Sequence, residues 1–464
     1  MYDTIIIGAG PGGYLAAERL GHEKKKTLLI EEQYLGGTCL NVGCIPTKTL
    51  LNSAKQYVHA KEAGKFGVTV KEVSYDWPKI LAWKTEVTEK LRAGIAAQMK
   101  RLGVEVVNGR GEILSAASGE RGARVRAVTG GKTEEYEAKT VLVSTGSAPV
   151  IPPIPGAKDN PRVVDSTGLL SASEVPQRLA IIGGGVIGVE FAGLFSSLGT
   201  EVTVIEMMDE IVPFMDRELA PLLRKAMAPV SFRLGCKVEK IEGAAVCYTE
   251  KDGKAGRAGA DLVLMAAGRR PVLRGWGAEA AGVDIGPKGV NTDDRQRTNI
   301  PGIWAAGDVT GKSLLAHSAY RMAEIAVADI AAVLDGKGTG VPNVWRGSAV
   351  PWAVYGLTEA AGVGISEQEA EAKGVGILKA SLPLVFSGRF AAENTFQAPG
   401  AVKVIASAET RQILGIHAVG AYSPEFIWGG AALIEQELRV EDVKQLIFPH
   451  PTVCEVIRDV VCQL

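Results

Sequence analysis

The chain carries one pattern of apolar and polar positions twice. In each copy a short, mostly apolar run, residues 4–7 in the first and 179–182 in the second, stops at a glycine and passes two more before the spacing becomes helical. A second apolar run follows, 27–30 and 201–205, and each ends at a glutamate, Glu31 or Glu206. The glycines are Gly8, Gly10 and Gly13 in one copy and Gly183, Gly185 and Gly188 in the other, and each glutamate follows its first glycine at the same interval. The pattern predicts two strand–turn–helix–strand units of a parallel α/β sheet. Further on, residues 350–370 and 401–420 read as strands of an antiparallel sheet, 424–438 as a helix, and the polar run 77–102 as a solvent-facing helix without assigned chemistry.

Punctuation divides the chain. Pro149, Pro152, Pro153 and Pro155 mark a linker, and Gly336, Gly338 and Gly340 mark another. The resulting segments are 1–150, 151–268, a return segment 269–340, and 341–464. The fold class expected is α/β, with two Rossmann-like dinucleotide-binding domains and a C-terminal α+β domain.

Composition narrows the function. The 464 residues are 46% hydrophobic, enough for several cores. The 51 Lys and Arg balance 52 Asp and Glu, so no global field draws the chain to nucleic acid or an acidic membrane. No long apolar run is present, and the start MYDTIIIGAG has neither the basic nor the apolar part of a signal peptide, so a soluble cytoplasmic protein is expected. No metal site is read. Six cysteines are too few for a disulfide scaffold.

Two of those cysteines stand apart. Residues 36–48 read GGTCLNVGCIPTK and place Cys39 and Cys44 just after the first repeat. In an ideal helix this spacing separates the Cα atoms by roughly 8–9 Å, beyond the usual disulfide span of about 4.4–6.8 Å. A bridge therefore requires a distorted helix start, for which Gly43 and Pro46 supply the irregularity. At a helix N-terminus the dipole favours a thiolate. The pair reads either as a redox-active disulfide or as two buried, unpaired cysteines.

The repeats carry the spacing of dinucleotide loops. The first glycine allows the turn, the second lets a pyrophosphate approach the backbone, and the third brings helix and strand together. Glu31 and Glu206 can accept bonds from ribose hydroxyls, or can simply be surface acids closing their strands. After Glu206 come Met207, Met208, Asp209 and Glu210, whose anionic members would repel a 2′-phosphate, so the second site reads as NAD. A flavin can mediate between nicotinamide and a dithiol, which assigns FAD to the first site. Thr145 and Gly146, and Gly307 and Asp308, end strands where a carboxylate can hold a flavin side-chain hydroxyl; alone, each is only a turn.

These motifs, with GAGPGGY at 8–14, GGGVIGVE at 183–190, AAGDV at 305–309, LLAH at 314–317 and HPTVCE at 450–455, resemble the pyridine nucleotide-disulfide oxidoreductases, most closely the dihydrolipoamide dehydrogenases. The resemblance covers essentially the whole chain. It implies oxidation of protein-bound dihydrolipoamide with reduction of NAD, as the reductase component of 2-oxo acid dehydrogenase or glycine cleavage systems. It also implies a homodimer with shared sites, formed through the last domain, and a lipoyl-bearing partner protein.

By this likeness Cys39 is the cysteine that exchanges with substrate and Cys44 the one facing the flavin, with Lys48 and Glu190 paired beside its reactive nitrogen. His450, oriented by Glu455, acts as acid and base toward thiols at the partner's disulfide; alone it would read as a loop histidine. The likeness gives FAD the residues Gly8, Gly10, Gly13, Glu31, Lys48, Gly111, Thr145, Gly146, Asp308, Leu315, Ala316 and His317. It gives NAD the residues Gly183, Gly185, Gly188, Glu206, Val238 and Gly268.

Rival readings are distinguishable. A glutathione-type reductase should show arginines after the second acid, a mercuric reductase a C-terminal vicinal cysteine pair without the histidine, and a soluble transhydrogenase no dithiol. A docking component of a multienzyme core would show no turnover without that core. Met322 and Ala323 stand where the family tends to carry Glu-Gly, Thr358 where a proline is common, and Phe448 and Pro449 replace more usual residues. These departures are expected to bear on partner choice and channel shape while leaving flavin chemistry intact. Cys236, Cys247, Cys454 and Cys462 are read as structural.

Overall fold

The structure is a computed structural model of the chain and describes residues 1–337 and 344–464. The expected boundary at Gly338 and Gly340 lies outside the described residues. Two compact units result. One comprises Met1–Thr49, Leu81–Val150 and Arg269–Arg346, the other Leu50–Ile80, Ile151–Gly268 and Gly347–Leu464.

The first unit is built on a seven-stranded sheet. Tyr2–Ile7 lies between Thr27–Glu31 and Lys132–Val143, parallel to both, with Ile7 opposite Ile30 and Val143. Glu105–Asn108 and Ile303–Ala305 extend the parallel part, while Arg110–Ser115 and Ala123–Thr129 form an antiparallel meander with Lys132–Val143. Alternate residues of the apolar strands serve opposite faces. Ile5, Ile7, Leu28 and Ile30 pack with Trp276 and Val290 on one side, and Ile6 and Leu29 pack with Ala16, Ala17, Leu20 and Ala326 on the other. Burial on both faces explains why these strands read as near-continuous apolar runs. The alanines bring the helices Pro11–His22 and Ala316–Leu334 close to the sheet and to each other.

The second unit repeats the motif. Arg178–Ile182 and Glu201–Ile205 flank the helix Val186–Ser197, and the sheet runs in the order Ser231–Arg233, Glu201–Ile205, Arg178–Ile182, Leu262–Met265, Val163–Val164. The same unit holds an antiparallel sheet of Trp352–Val354, Ala360–Gly364, Ile413–Val419, Ala401–Ser407 and Ile377–Pro383. Helices Ser423–Glu435 and Glu455–Val461 cover one face of it. Ile211, Val212, Leu219 and Leu223 cover part of the other.

Local differences from the expected elements have physical causes. The segment beginning at Ser366 is a helix, Glu367–Ala372, because Ser366 and Glu369 form a reciprocal capping box. The strand Ile377–Pro383 has an alternating half-exposed pattern that an apolar criterion passes over. The helix after Tyr422 runs Ser423–Glu435, and Glu437 turns left-handed just beyond it. The polar helix spans Trp77–Arg101 and is mostly exposed, with Trp77, Thr88 and Met99 buried.

Candidate active site

Both glycine loops are closed by their glutamates. Glu31 Oε2 accepts the Ala9 N–H at 2.6 Å, and its Oε1 accepts those of Gln33 and Tyr34 at 2.7 and 3.1 Å. Glu206 repeats this with Gly184 N–H at 2.5 Å and Met208 N–H at 2.7 Å. An ionised carboxylate offers about four acceptor sites, so each retains capacity for a ribose hydroxyl while fixing the loop. Both are buried, so neither is a surface acid that merely closes its strand.

The glycines differ in what requires them. Gly8 and Gly183 take φ of 96° and 110°, and a Cβ on Gly13 or Gly188 would overlap the carbonyl oxygen of Gly8 or Gly183. Gly10 and Gly185 have ordinary φ of −67° and −73°. A Cβ on Gly185 would meet nothing within 4 Å, and one on Gly10 would meet only the Gly37 Cα at 4.0 Å. Neither strain nor packing demands glycine at these positions. Keeping that space open in both copies fits a pyrophosphate lying against the backbone.

Around the first loop, Thr145 Oγ1 donates to the Val272 carbonyl at 3.0 Å and Gly146 turns at φ 72°. Burial raises the Asp308 carboxyl, against the pull of Ser147 and Arg269. Ser147 Oγ donates to Asp308 Oδ2 at 2.6 Å, and Arg269 Nε donates to Ser147 Oγ at 2.9 Å. Ser147 and Arg269 were not anticipated, although each directly follows an assigned glycine, Gly146 or Gly268. Leu315 is the extended cap of the helix Ala316–Leu334 and makes no side-chain cap bond, so this helix end suits an anionic ligand.

Other assigned positions have packing roles. A Cβ on Gly111 would press on Ile7 and Ile30, and Val238 packs on the core of its own unit. Met322 and Ala323 are fully buried, and Met322 Sδ accepts the Gly307 N–H at 3.4 Å. That departure supports the turn carrying Asp308.

Cys39 and Cys44 are bridged, with Cα atoms 4.6 Å apart. The expected distorted helix start is instead a break between two helices, Gly37–Val42 and Cys44–Glu62, at Gly43 with φ −142° and ψ −112°. A Cβ there would lie 2.9 Å from the Thr38 carbonyl oxygen and 3.2 Å from the Cys39 Cα. Asn41 secures the first helix by donating to the Leu35 and Gly37 carbonyls, both at 2.9 Å. Gly36 N–H bonds the Ala9 carbonyl at 2.9 Å, joining the dithiol segment to the first glycine loop. Lys48 lies half-buried one turn after Cys44. Glu190, 4% exposed, accepts the Tyr355 N–H at 3.1 Å.

His450 Nδ1 lies 3.0 and 3.2 Å from the two Glu455 carboxylate oxygens. The Thr452 N–H first, and His450 after it, hold the Glu455 carboxyl below its usual range. A carboxylate at Nδ1 selects the Nδ1–H tautomer and leaves a lone pair on Nε2 for a thiol proton. Cys236 is buried and Cys454 packs against the C-terminal core, whereas Cys462 is exposed, which corrects its structural reading.

Residues 2–323 match the pyridine nucleotide-disulphide oxidoreductase model and residues 350–461 the dimerisation domain of the same family. The chain belongs to the pyridine nucleotide-disulphide oxidoreductase family. It is an oxidoreductase of this family, its cofactors are FAD and NAD, and it pairs as a homodimer. It is 38% identical to the dihydrolipoyl dehydrogenase of Thermus scotoductus, covering 98% of this chain and 95% of that one. It is 34% identical to a dihydrolipoyl dehydrogenase of Bacillus subtilis, covering 98% and 94%.

Among solved structures, LpdA from Mycobacterium tuberculosis matches with a TM-score of 0.88 at 28% identity, over 100% of this chain and 99% of that one. The HOCl-induced flavoprotein disulfide reductase RclA from Escherichia coli matches with a TM-score of 0.83 at 28% identity, over 100% of both chains. No helix among the described residues is long and apolar enough to cross a membrane.

The contrast between glycines of this oxidoreductase is testable. Gly188→Val should lower folding stability by about 1–3 kcal/mol or more, as overpacking does. Gly185→Val should leave thermal unfolding unchanged and weaken NADH binding at least about tenfold, roughly 1.4 kcal/mol. Calorimetric unfolding and NADH titration check both. Wild-type NADH affinity in Gly185→Val would remove the second loop from the nucleotide site.

Proposed function

We propose that the protein oxidises protein-bound dihydrolipoamide to lipoamide and reduces NAD to NADH, in the cytoplasm, as the reductase of a 2-oxo acid dehydrogenase or glycine cleavage system. The observation that carries this reading is the bridged Cys39–Cys44 pair in a chain that also holds a carboxylate-oriented histidine, His450. Residues 1–150 and 269–340 are assigned to FAD, 151–268 to NAD and 341–464 to the dimer contact. Lys48 and Glu190 keep the flavin-side role that the family likeness implies.

The residues act in order. His450 Nε2 of one protomer takes a proton from a dihydrolipoamide thiol, and Glu455 stabilises the imidazolium that results. The substrate thiolate attacks Cys39 Sγ, breaking the bridge and releasing Cys44 as a thiolate. The second substrate thiol attacks the substrate sulfur of the mixed disulfide and breaks its bond to Cys39, its proton passing to the departing Cys39 sulfur, so lipoamide leaves and Cys39 is reduced. FAD held at the first glycine loop would supply two-electron transfer between the Cys39–Cys44 dithiol and NAD at the second loop.

NAD should exceed NADP by at least about tenfold in kcat/KM, because Glu206 opposes a 2′-phosphate, while Asp209 and Glu210 are already paired with Lys251 and Arg224. Steady-state assays with both nucleotides decide this, and equal efficiencies contradict it.

His450→Ala should lower lipoamide turnover by roughly 10² to 10⁴, while NADH-driven reduction of a one-electron acceptor survives because it needs no thiol deprotonation. Isolated heterodimers of Cys44→Ser and His450→Ala chains should regain lipoamide activity at one intact shared site. No recovery in flavin-loaded heterodimers would overturn the shared site.

A further inference from the structure

Lys403 lies mid-strand in Ala401–Ser407 and is fully buried. Its ammonium sits 3.0 Å from Asp216, 2.9 Å from Glu218 and 2.5 Å from Glu367. Those carboxylates lie within 4.8 Å of one another, as metal ligands do, but the lysine occupies their centre. Glu218 and Glu367 also pair with Lys379 at the edge of the cluster. For the fully buried Asp216, Lys403 is the one ion-pair partner among the described residues. Burying a lysine is expensive unless the charge is met this closely, so its presence calls for a reason beyond core filling.

The reason lies along the chain from Asp216. The segment from Glu206 to Asp216 is tied to the second glycine loop at its start and in its middle, and to the antiparallel sheet at its far end. Glu206 binds Gly184 N–H at the start. In the middle, Val212 N–H donates to the Gly184 carbonyl at 2.8 Å. The corresponding bond in the first repeat is Gly36 N–H to the Ala9 carbonyl, made by a glycine at φ 94°. Val212 makes it at φ 45° with a β-branched side chain that is fully buried. A valine stays in that region only when its surroundings over-determine it.

The far end supplies the restraint. Asp216 bonds Lys403 and accepts the Glu367 N–H at 3.1 Å, and Gln368 Nε2 donates to the Met215 carbonyl at 2.7 Å. The antiparallel sheet and its neighbouring helix thus hold a segment that belongs to the dinucleotide fold.

We propose that Lys403 is a positioning residue for the pyridine nucleotide: by anchoring Asp216 it holds Val212 in its strained turn and so sets the Gly184 backbone that the nucleotide meets. This rests on the reading of Gly183, Gly185, Gly188 and Glu206 as the NAD site. Without the anchor, Asp216 is a buried carboxylate with no cation beside it, held only by the Glu218 and Glu367 N–H groups, and it draws the segment outward. Val212 then relaxes and Gly184 loses its carbonyl partner.

The test uses FAD-loaded Asp216→Asn and Lys403→Met enzymes, with calorimetric titration of NAD and the split between KM and kcat. Asp216→Asn, which leaves Glu218 and Glu367 to meet the lysine, should keep the flavin spectrum while the Kd and KM for NAD rise about tenfold. At saturating NAD its kcat should stay near wild type. Lys403→Met should show the same shift, and adding Asp216→Asn to it should recover part of the affinity, because the pair is then neutral. If Lys403→Met fails to fold, Asp216→Asn decides alone. Lower thermal stability with wild-type Kd for NAD in Asp216→Asn would make the cluster purely structural and overturn the proposal. Gly185→Val serves as the separate control: unchanged NAD affinity there would overturn the site reading itself.

Discussion

Ala9 is the point on which the flavin half is organised. Its N–H is held by Glu31 and its carbonyl by Gly36, so one peptide connects the glycine loop, the strand-ending acid and the dithiol segment. The disulfide is thereby placed by backbone bonds, and the break at Gly43 closes the remaining distance between the sulfurs' Cα atoms. The turns that support the bridge are held by hydrogen bonds that do not involve the sulfurs. That property suits a dithiol that must pass electrons repeatedly.

The second repeat reaches the same loop geometry by another route. Gly184 is bonded by Glu206 and Val212 as Ala9 is by Glu31 and Gly36, but a valine takes the place of the permissive glycine. The strain is balanced by a buried ion pair between Asp216 and Lys403, a residue far away in sequence. One supersecondary unit, used twice, is thus self-sufficient in one copy and dependent on the neighbouring sheet in the other.

Much of this was legible in the sequence, for stated reasons. Glycine spacing, strand-ending acids and the Cys39–Cys44 interval are local, and the strands and helices around them have the expected periods. What escaped was long-range. Nothing near Lys403 in sequence announces that its ammonium will meet Asp216, and Ser147 and Arg269 act by hydrogen bonds to groups that only the fold brings close. The helix Glu367–Ala372 was misread because a capping box followed an apolar run without a break in composition.

In the proposed reaction the Cys39–Cys44 bridge accepts the electrons of a dithiol substrate. The most direct measurement is anaerobic reduction of the FAD-loaded enzyme with one equivalent of free dihydrolipoamide per chain, rapid alkylation, and mapping of the labelled cysteines. Cys39 and Cys44 should both become labelled as lipoamide forms, and prior addition of NAD should erase that labelling. Label confined to Cys236, Cys247, Cys454 and Cys462, with the bridge intact after reduction, would contradict the account.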